Sequence, residues 1–181
     1  MSSVNSHTFR WLLIALISAL AISLISVWLP AGLKKIGLFS LALGAGFAFI
    51  TSLLTGTKPQ DVKRWQVMIL ILFAGCTEAG RALESYRIYH DAAEAQLEKN
   101  LEELPAFAQE MREEITNQHS AVFVDYLLQK YSALAIGDSS TLACLIFALE
   151  IILAMGGAGG LIWIMKRQSA KTDSESARKA S

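Results

Sequence analysis

Four long apolar runs divide the chain. The first, 11–29, carries no charge, is preceded by Arg10 and is closed by Pro30. At about 1.5 Å per residue it reaches about 28 Å, close to the roughly 30 Å hydrocarbon core of a bilayer. A signal peptide has a shorter apolar core, about 7–15 residues, before a small-residue cleavage site. The run's Ala-x-Ala, Ala19 and Ala21, sits mid-run, so an uncleaved span is expected. The second run, 36–54, is also uncharged, and the loop 30–35 permits only a tight antiparallel pair. The third starts at Trp65 after Lys63 and Arg64 and stays free of charge only to Thr77. A helix about 30 Å long, 65–83, has to take in Glu78 and Arg81. The fourth, 142–165, is interrupted by Glu150 and stopped by Lys166 and Arg167, with Asp138, Ser139 and Ser140 as suitable N-caps.

Between the third and fourth runs the polar pattern is still helical. Leu83, Tyr86, His90, Ala93, Leu97, Leu101 and Leu104 recur at steps of three and four, with Glu94, Glu98, Glu102 and Glu103 largely off that face. No helix breaker intervenes, so the third span is expected to continue as one helix to about 104. Pro105 marks a turn. A return helix, 106–136, carries Met111, Ile115, Val122 and Tyr126 on a similar period, and either lies on the membrane surface or packs back on its predecessor. Gly137 and Asp138 end it. The tail, 166–181, is rich in Ser, Ala and Lys without an apolar period, and is expected to be disordered.

Composition agrees with this reading. The chain of 181 residues is 53% hydrophobic and 18% charged, where a soluble domain carries about 25% charge. It is therefore read as an all-α integral membrane protein, with four transmembrane helices and an outer helical hairpin between helices 3 and 4. A net charge of zero excludes a whole-chain basic surface of the kind that binds nucleic acid. Lys and Arg set orientation. With the N-terminal segment 1–10 inside, the inner side holds nine of them (Arg10, Lys58, Lys63, Arg64 and five from Lys166 onward) and the outer side six, which favours N-in, C-in. The third loop, 84–141, has 11 acidic and four basic residues. With no cleavable targeting segment or retention signal, the bacterial inner membrane is the default location.

Glu78, Arg81 and Glu150 are the most informative residues. An isolated charge mid-span costs about 2.5–3.5 kcal/mol on insertion scales, so such groups are usually paired or functional. Arg81 is as far along the third run from Gln66 as Glu150 is along the fourth from Met165. Both are therefore about 22 Å from the inner boundary. Antiparallel third and fourth spans bring them level, which predicts an Arg81–Glu150 bridge. Glu78, one helical turn before Arg81, shares that helix face. The bland reading is that the trio fixes how two helices pack. The sharper one is a proton or cation relay, with Glu78 as the carrier.

Small residues form stripes that let helices approach closely in lipid. They are Ala15, Ala19 and Ser23; Ser40, Gly44 and Ala48; Gly75 and Ala79; and the cluster Gly156 to Gly160, which includes one Gly-x-x-x-Gly. Packing inside one bundle is the first expectation, and a subunit interface the alternative. Cys76 and Cys144 are too far apart in height for one disulfide. His90 and His119 meet only if the outer helices pair, a weak metal signal. No Gly-x-Ser-x-Gly elbow, His-x-x-x-His pair or P-loop is present, so neither catalysis nor a cofactor is expected.

The layout of four spans with the large outer segment between the third and fourth resembles that of tetraspanins in topology. The chain lacks that family's Cys-Cys-Gly and its cysteine-bridged loop. The expected function is non-enzymatic: a membrane accessory or interaction subunit whose outer hairpin and small-residue faces contact other membrane subunits or a second copy. The competing expectation is an oligomeric channel or pore lined by Glu78, Arg81 or Glu150.

Overall fold

The computed structural model describes residues 3–29, 37–58, 61–102, 122–134 and 139–180. Among these the regular structure is entirely helical, with no strand. The helices are α1 (Ser3–Val27), α2 (Leu38–Thr55), α3 (Arg64–Glu102), α4 (Phe123–Tyr131, followed by a 3₁₀ turn Ser132–Leu134) and α5 (Ser140–Ala180). Stretches of α1, α2, α3 and α5 are long and apolar enough to cross a membrane: Thr8–Val27, Leu38–Thr55, Arg64–Lys99 and Ser140–Lys171.

Two helices exceed their apolar runs. α1 begins at Ser3, inside the segment expected to precede the span. α5 runs to Ala180, where composition predicts a tail without regular structure. Both extensions are polar but contain neither Gly nor Pro, so nothing in them breaks a helix already nucleated by its apolar part. α3 ends at Glu102, close to the expected limit. The loop 30–35, Pro105, residues 106–121 of the expected return helix, Gly137, Asp138 and His119 fall outside the described residues; the backbone is extended at Val122, so the described helix starts at Phe123 and is not one unbroken run from 106.

The chain divides into two compact units. The first comprises residues 1–81 and 148–181. Its core is built on helical spacing: Trp11, Ala15 and Ala19 from α1, Phe47 and Ala48 from α2, Leu70 and Ala74 from α3, Ala158 and Ile162 from α5. Alanine at steps of four lets backbones close up, and a few large rings fill what remains. Trp11 meets Trp65 edge-on with centroids 5.5 Å apart. The tightest seam joins α2 to α5. A Cβ on Gly44 would lie 1.8 Å from the Ala154 carbonyl oxygen, and one on Gly157 would lie 2.1 Å from that of Leu41. The outside of the unit is as apolar as its inside. Ile17, Leu20, Ile25, Leu53, Met68, Leu72 and Ile152 are each more than half exposed, a surface suited to lipid rather than water.

The second unit, 82–147, has an aromatic core. Tyr126, Leu127 and Tyr131 of α4 are buried with Ala143, and Tyr86, Tyr89, Phe123 and Phe147 pack around them. Tyr86 stands edge-on to Phe123 at 5.4 Å, Tyr89 lies 5.8 Å from Tyr126, and Phe123 lies 5.7 Å from Phe147. Of the two expectations for the return segment, its described part packs on α3. Asp125 starts α4 by accepting a hydrogen bond from the Val122 N–H at 3.2 Å. The inward face of α3 here is Ala82, Tyr86 and Tyr89: Tyr86 points inward as expected, while Ala82 and Tyr89 are inward in place of Leu83, which is 60% exposed.

Candidate functional site

Glu78 and Arg81 occupy one face of α3, one turn apart, and Glu150 comes from α5. The Arg81 guanidinium donates from Nε to Glu78 Oε2 at 3.2 Å and from Nη2 to Glu78 Oε1. The same Nη2 lies 3.7 Å from Glu150 Oε2. The side chains are 0–4% exposed. Phe39 of α2 sets its ring 5.2 Å from the guanidinium carbon, a cation–π contact. The depth arithmetic that placed Arg81 and Glu150 level thus corresponds to a contact, and α2, α3 and α5 meet at one cationic group.

The arrangement has definite chemical capacities. The planar guanidinium satisfies both Glu78 oxygens at once, which gives direction as well as charge balance. It does not release its proton at any physiological pH. Arg81 is therefore a fixed cross-link between helices, and with one partner removed a buried charge is left in an apolar interior. Each member of the trio is buried within one copy of the chain, and none faces outward.

The other sequence candidates are placed as follows. Gly44 lies at the α2–α5 seam, and Gly75 faces the Met155 side chain, where a Cβ would lie 3.1 Å from Cγ. Ala79 is buried. Gly156 and Gly160 have open space where a Cβ would stand. The intrachain contact expected of them is made by Gly157, about 100° round the helix from Gly156. Cys76 and Cys144 are both free and exposed.

Two features carry little sequence signal. Ser18, Ser40 and Thr51 are buried and their hydroxyls find no hydrogen-bond partner among the described residues. Their neighbours Ser52 and Thr55 bond back to helix carbonyls at 2.8 Å, the usual outlet for a helical hydroxyl. On the outward stretch of α3, His90 Nδ1 lies 3.6 Å from Glu94 Oε2, and with Asp91 their polar atoms fall within 4.8 Å of one another. The one-turn spacing of His90 and Glu94 is the available signal. Glu94 is 67% exposed, and the group reads as a surface ion pair that forms when the imidazole is protonated.

No protein-family model, curated protein or solved structure matches this chain.

Proposed function

We propose that this chain is a non-enzymatic membrane accessory subunit that holds a partner against helix faces it does not use for its own fold. One observation carries the reading. Gly156 and Gly160, one turn apart on α5, stand over open space, whereas their neighbour Gly157 is consumed in the α2–α5 seam. A Gly-x-x-x-Gly face with open space above it among the described residues is a surface against which another transmembrane helix packs closely. In this reading the four apolar helices span the bilayer N-in, C-in, by default in a bacterial inner membrane. The unit 82–147 lies outside, and its ordered aromatic core presents a second contact surface. Contact is the gain that offsets the entropy of ordering it.

The pore reading has less support. A charged ring that sets selectivity must face water when subunits assemble. Glu78, Arg81 and Glu150 are instead buried in one chain and paired. The test is purification of the tagged chain from its native membrane in mild detergent, followed by mass spectrometry. The expected result is a stoichiometric second polypeptide that is retained by wild type and lost from Gly156→Leu/Gly160→Leu, with the thermal midpoint of the purified chain unchanged. A homo-oligomer that passes ions across liposomes, with flux altered by Glu78→Gln, would overturn it.

A further inference from the structure

The end of the first unit that carries the N-terminus of α3 differs from the rest of its surface. Arg10, Lys58, Lys63, Arg64, Lys166, Arg167 and Lys171 are all there, with Asp61 among them. Lys166 is tied down, donating from Nζ to the Val62 carbonyl at 2.7 Å. A hollow of about 350 Å³ opens where α2 turns into α3, walled by Lys58, Lys63, Asp61, Gln66 and the Thr55–Thr57 turn. A smaller hollow of about 100 Å³, with Arg10 and Trp11 in its wall, shares Thr55.

Three properties of the hollow bear on what it takes. Its charge is cationic, two lysines against one aspartate. Its one strongly buried polar side chain has spare donors: Gln66 is 7% exposed, accepts from the Lys63 N–H at 2.8 Å, and leaves its amide N–H₂ without another partner among the described residues. The helices that flank it carry exposed apolar side chains next in sequence to its wall residues. Phe9 follows Thr8 and Leu53 and Leu54 precede Thr55, all three more than half exposed. A cationic, donor-rich cup beside Trp65, at the end of helices whose outer faces are apolar and exposed, matches an anionic amphiphile. A free anion would use the cup but not those apolar faces.

We propose that this hollow is a headgroup site for one anionic phospholipid. Lys58 and Lys63 take the phosphate charge, Gln66 donates to a phosphate or glycerol oxygen, and the acyl chains lie along Phe9, Leu53 and Leu54. Basic pockets between helices at a membrane surface bind such headgroups through the same combination of charge and hydrogen bonding. The site rests on the helices spanning a bilayer and not on any protein partner.

Native mass spectrometry of the full chain in detergent tests it, with phosphatidylglycerol and phosphatidylcholine of identical acyl chains as probes. Wild type is expected to retain one phosphatidylglycerol at concentrations where phosphatidylcholine is lost. Lys58→Gln/Lys63→Gln is expected to weaken that retention at least about fivefold. Gln66→Leu probes the hydrogen bond with the charges intact and is expected to weaken it as well. Arg167→Gln/Lys171→Gln, which lowers the charge of the same end away from the hollow, is expected to leave it within about twofold. Equal retention of the two lipids overturns the proposal, as does wild-type retention by the Lys58/Lys63 variant. Equal losses in both double variants overturn it in favour of a diffuse basic belt. Displacement of the lipid by an equimolar amount of glycerol 3-phosphate overturns it in favour of a soluble phosphate ligand.

Discussion

Gly156 and Gly157 are adjacent, chemically identical and on the same helix, and the structure assigns them opposite sensitivities. A methyl group on Gly157 would sit 2.1 Å from the Leu41 carbonyl oxygen and 3.2 Å from the Ala45 nitrogen. Carbon–oxygen contacts settle at about 3.3–3.6 Å, so α2 and α5 must part by more than about 1 Å. The obstructing atoms are backbone, which does not move aside as the tip of a flexible side chain does. A gap of that size forfeits a quarter to a half of the dispersion energy along the seam. Overpacking of this kind costs about 1–3 kcal/mol, and the backbone obstruction puts Gly157→Ala at the upper end. The better helix propensity of alanine returns about 1 kcal/mol. The net expectation for Gly157→Ala is a loss of about 2 kcal/mol. Gly156→Ala meets nothing within 4 Å and keeps only the propensity gain. The assay is unfolding of the purified chain in detergent, with an SDS titration followed by tryptophan fluorescence. Equal destabilisation by the two substitutions would refute the seam geometry, as would a Gly157→Ala variant as stable as wild type.

The buried ion cluster gives a prediction of a different kind. Arg81→Met leaves two carboxylates buried around an apolar side chain and is expected to cost about 3–5 kcal/mol, while Glu78→Leu/Arg81→Met/Glu150→Leu recovers most of that loss; a single variant no less stable than the triple contradicts the cross-link. Thr51→Val removes an unpartnered hydroxyl at constant shape, so unfolding should show no loss, or a gain of up to about 1 kcal/mol, and a loss beyond that means the hydroxyl has a bond. Tyr126→Ala empties the centre of the ring cluster and is expected to destabilise the unit 82–147 by about 3 kcal/mol, read as faster amide exchange in α4 with exchange across 66–76 unchanged. Cys76 is exposed on the chain, one helical turn after the exposed Leu72. In a bilayer it is expected to resist a charged maleimide and to react once the chain is dissolved in SDS; equal labelling in both states argues against a membrane-spanning α3.

The number of long apolar helices is legible because uninterrupted apolar runs of about 20 residues admit few other structures, whereas the polar extensions of α1 and α5 carry no apolar signal. The meeting of Arg81 with Glu150 is legible for a related reason. Two buried charges at equal depth on neighbouring helices have strong cause to pair, and the constant rise of an α-helix is enough to find the depth. Rotation about the helix axis is much less accessible. The apolar period points Leu83 inward and passes over Tyr89, yet Ala82, Tyr86 and Tyr89 form the inner face. A one-residue change turns the face by about 100°, and in a helix with apolar residues on several sides the period does not choose between them. The same ambiguity hides Gly157 behind its neighbours. The hollow between α2 and α3 is out of reach for another reason: Lys58, Lys63 and Gln66 carry no motif, and their grouping depends on how the turn after Gly56 folds.

The pairing of Glu78 with Arg81 on a single helix bears on how the chain is made. A chain entering a bilayer helix by helix presents α3 before α5 has left the ribosome. Two separate mid-membrane charges would then cost about 5–7 kcal/mol on insertion scales. In the proposed membrane-spanning arrangement the two charges, one turn apart, neutralise each other inside α3 from the outset, and that helix can enter lipid without waiting for another. Glu150 meets Arg81 only when α5 arrives. In that arrangement the intrahelical pair makes α3 an early, self-sufficient arrival, and Arg81 the fixed point onto which α5 is drawn.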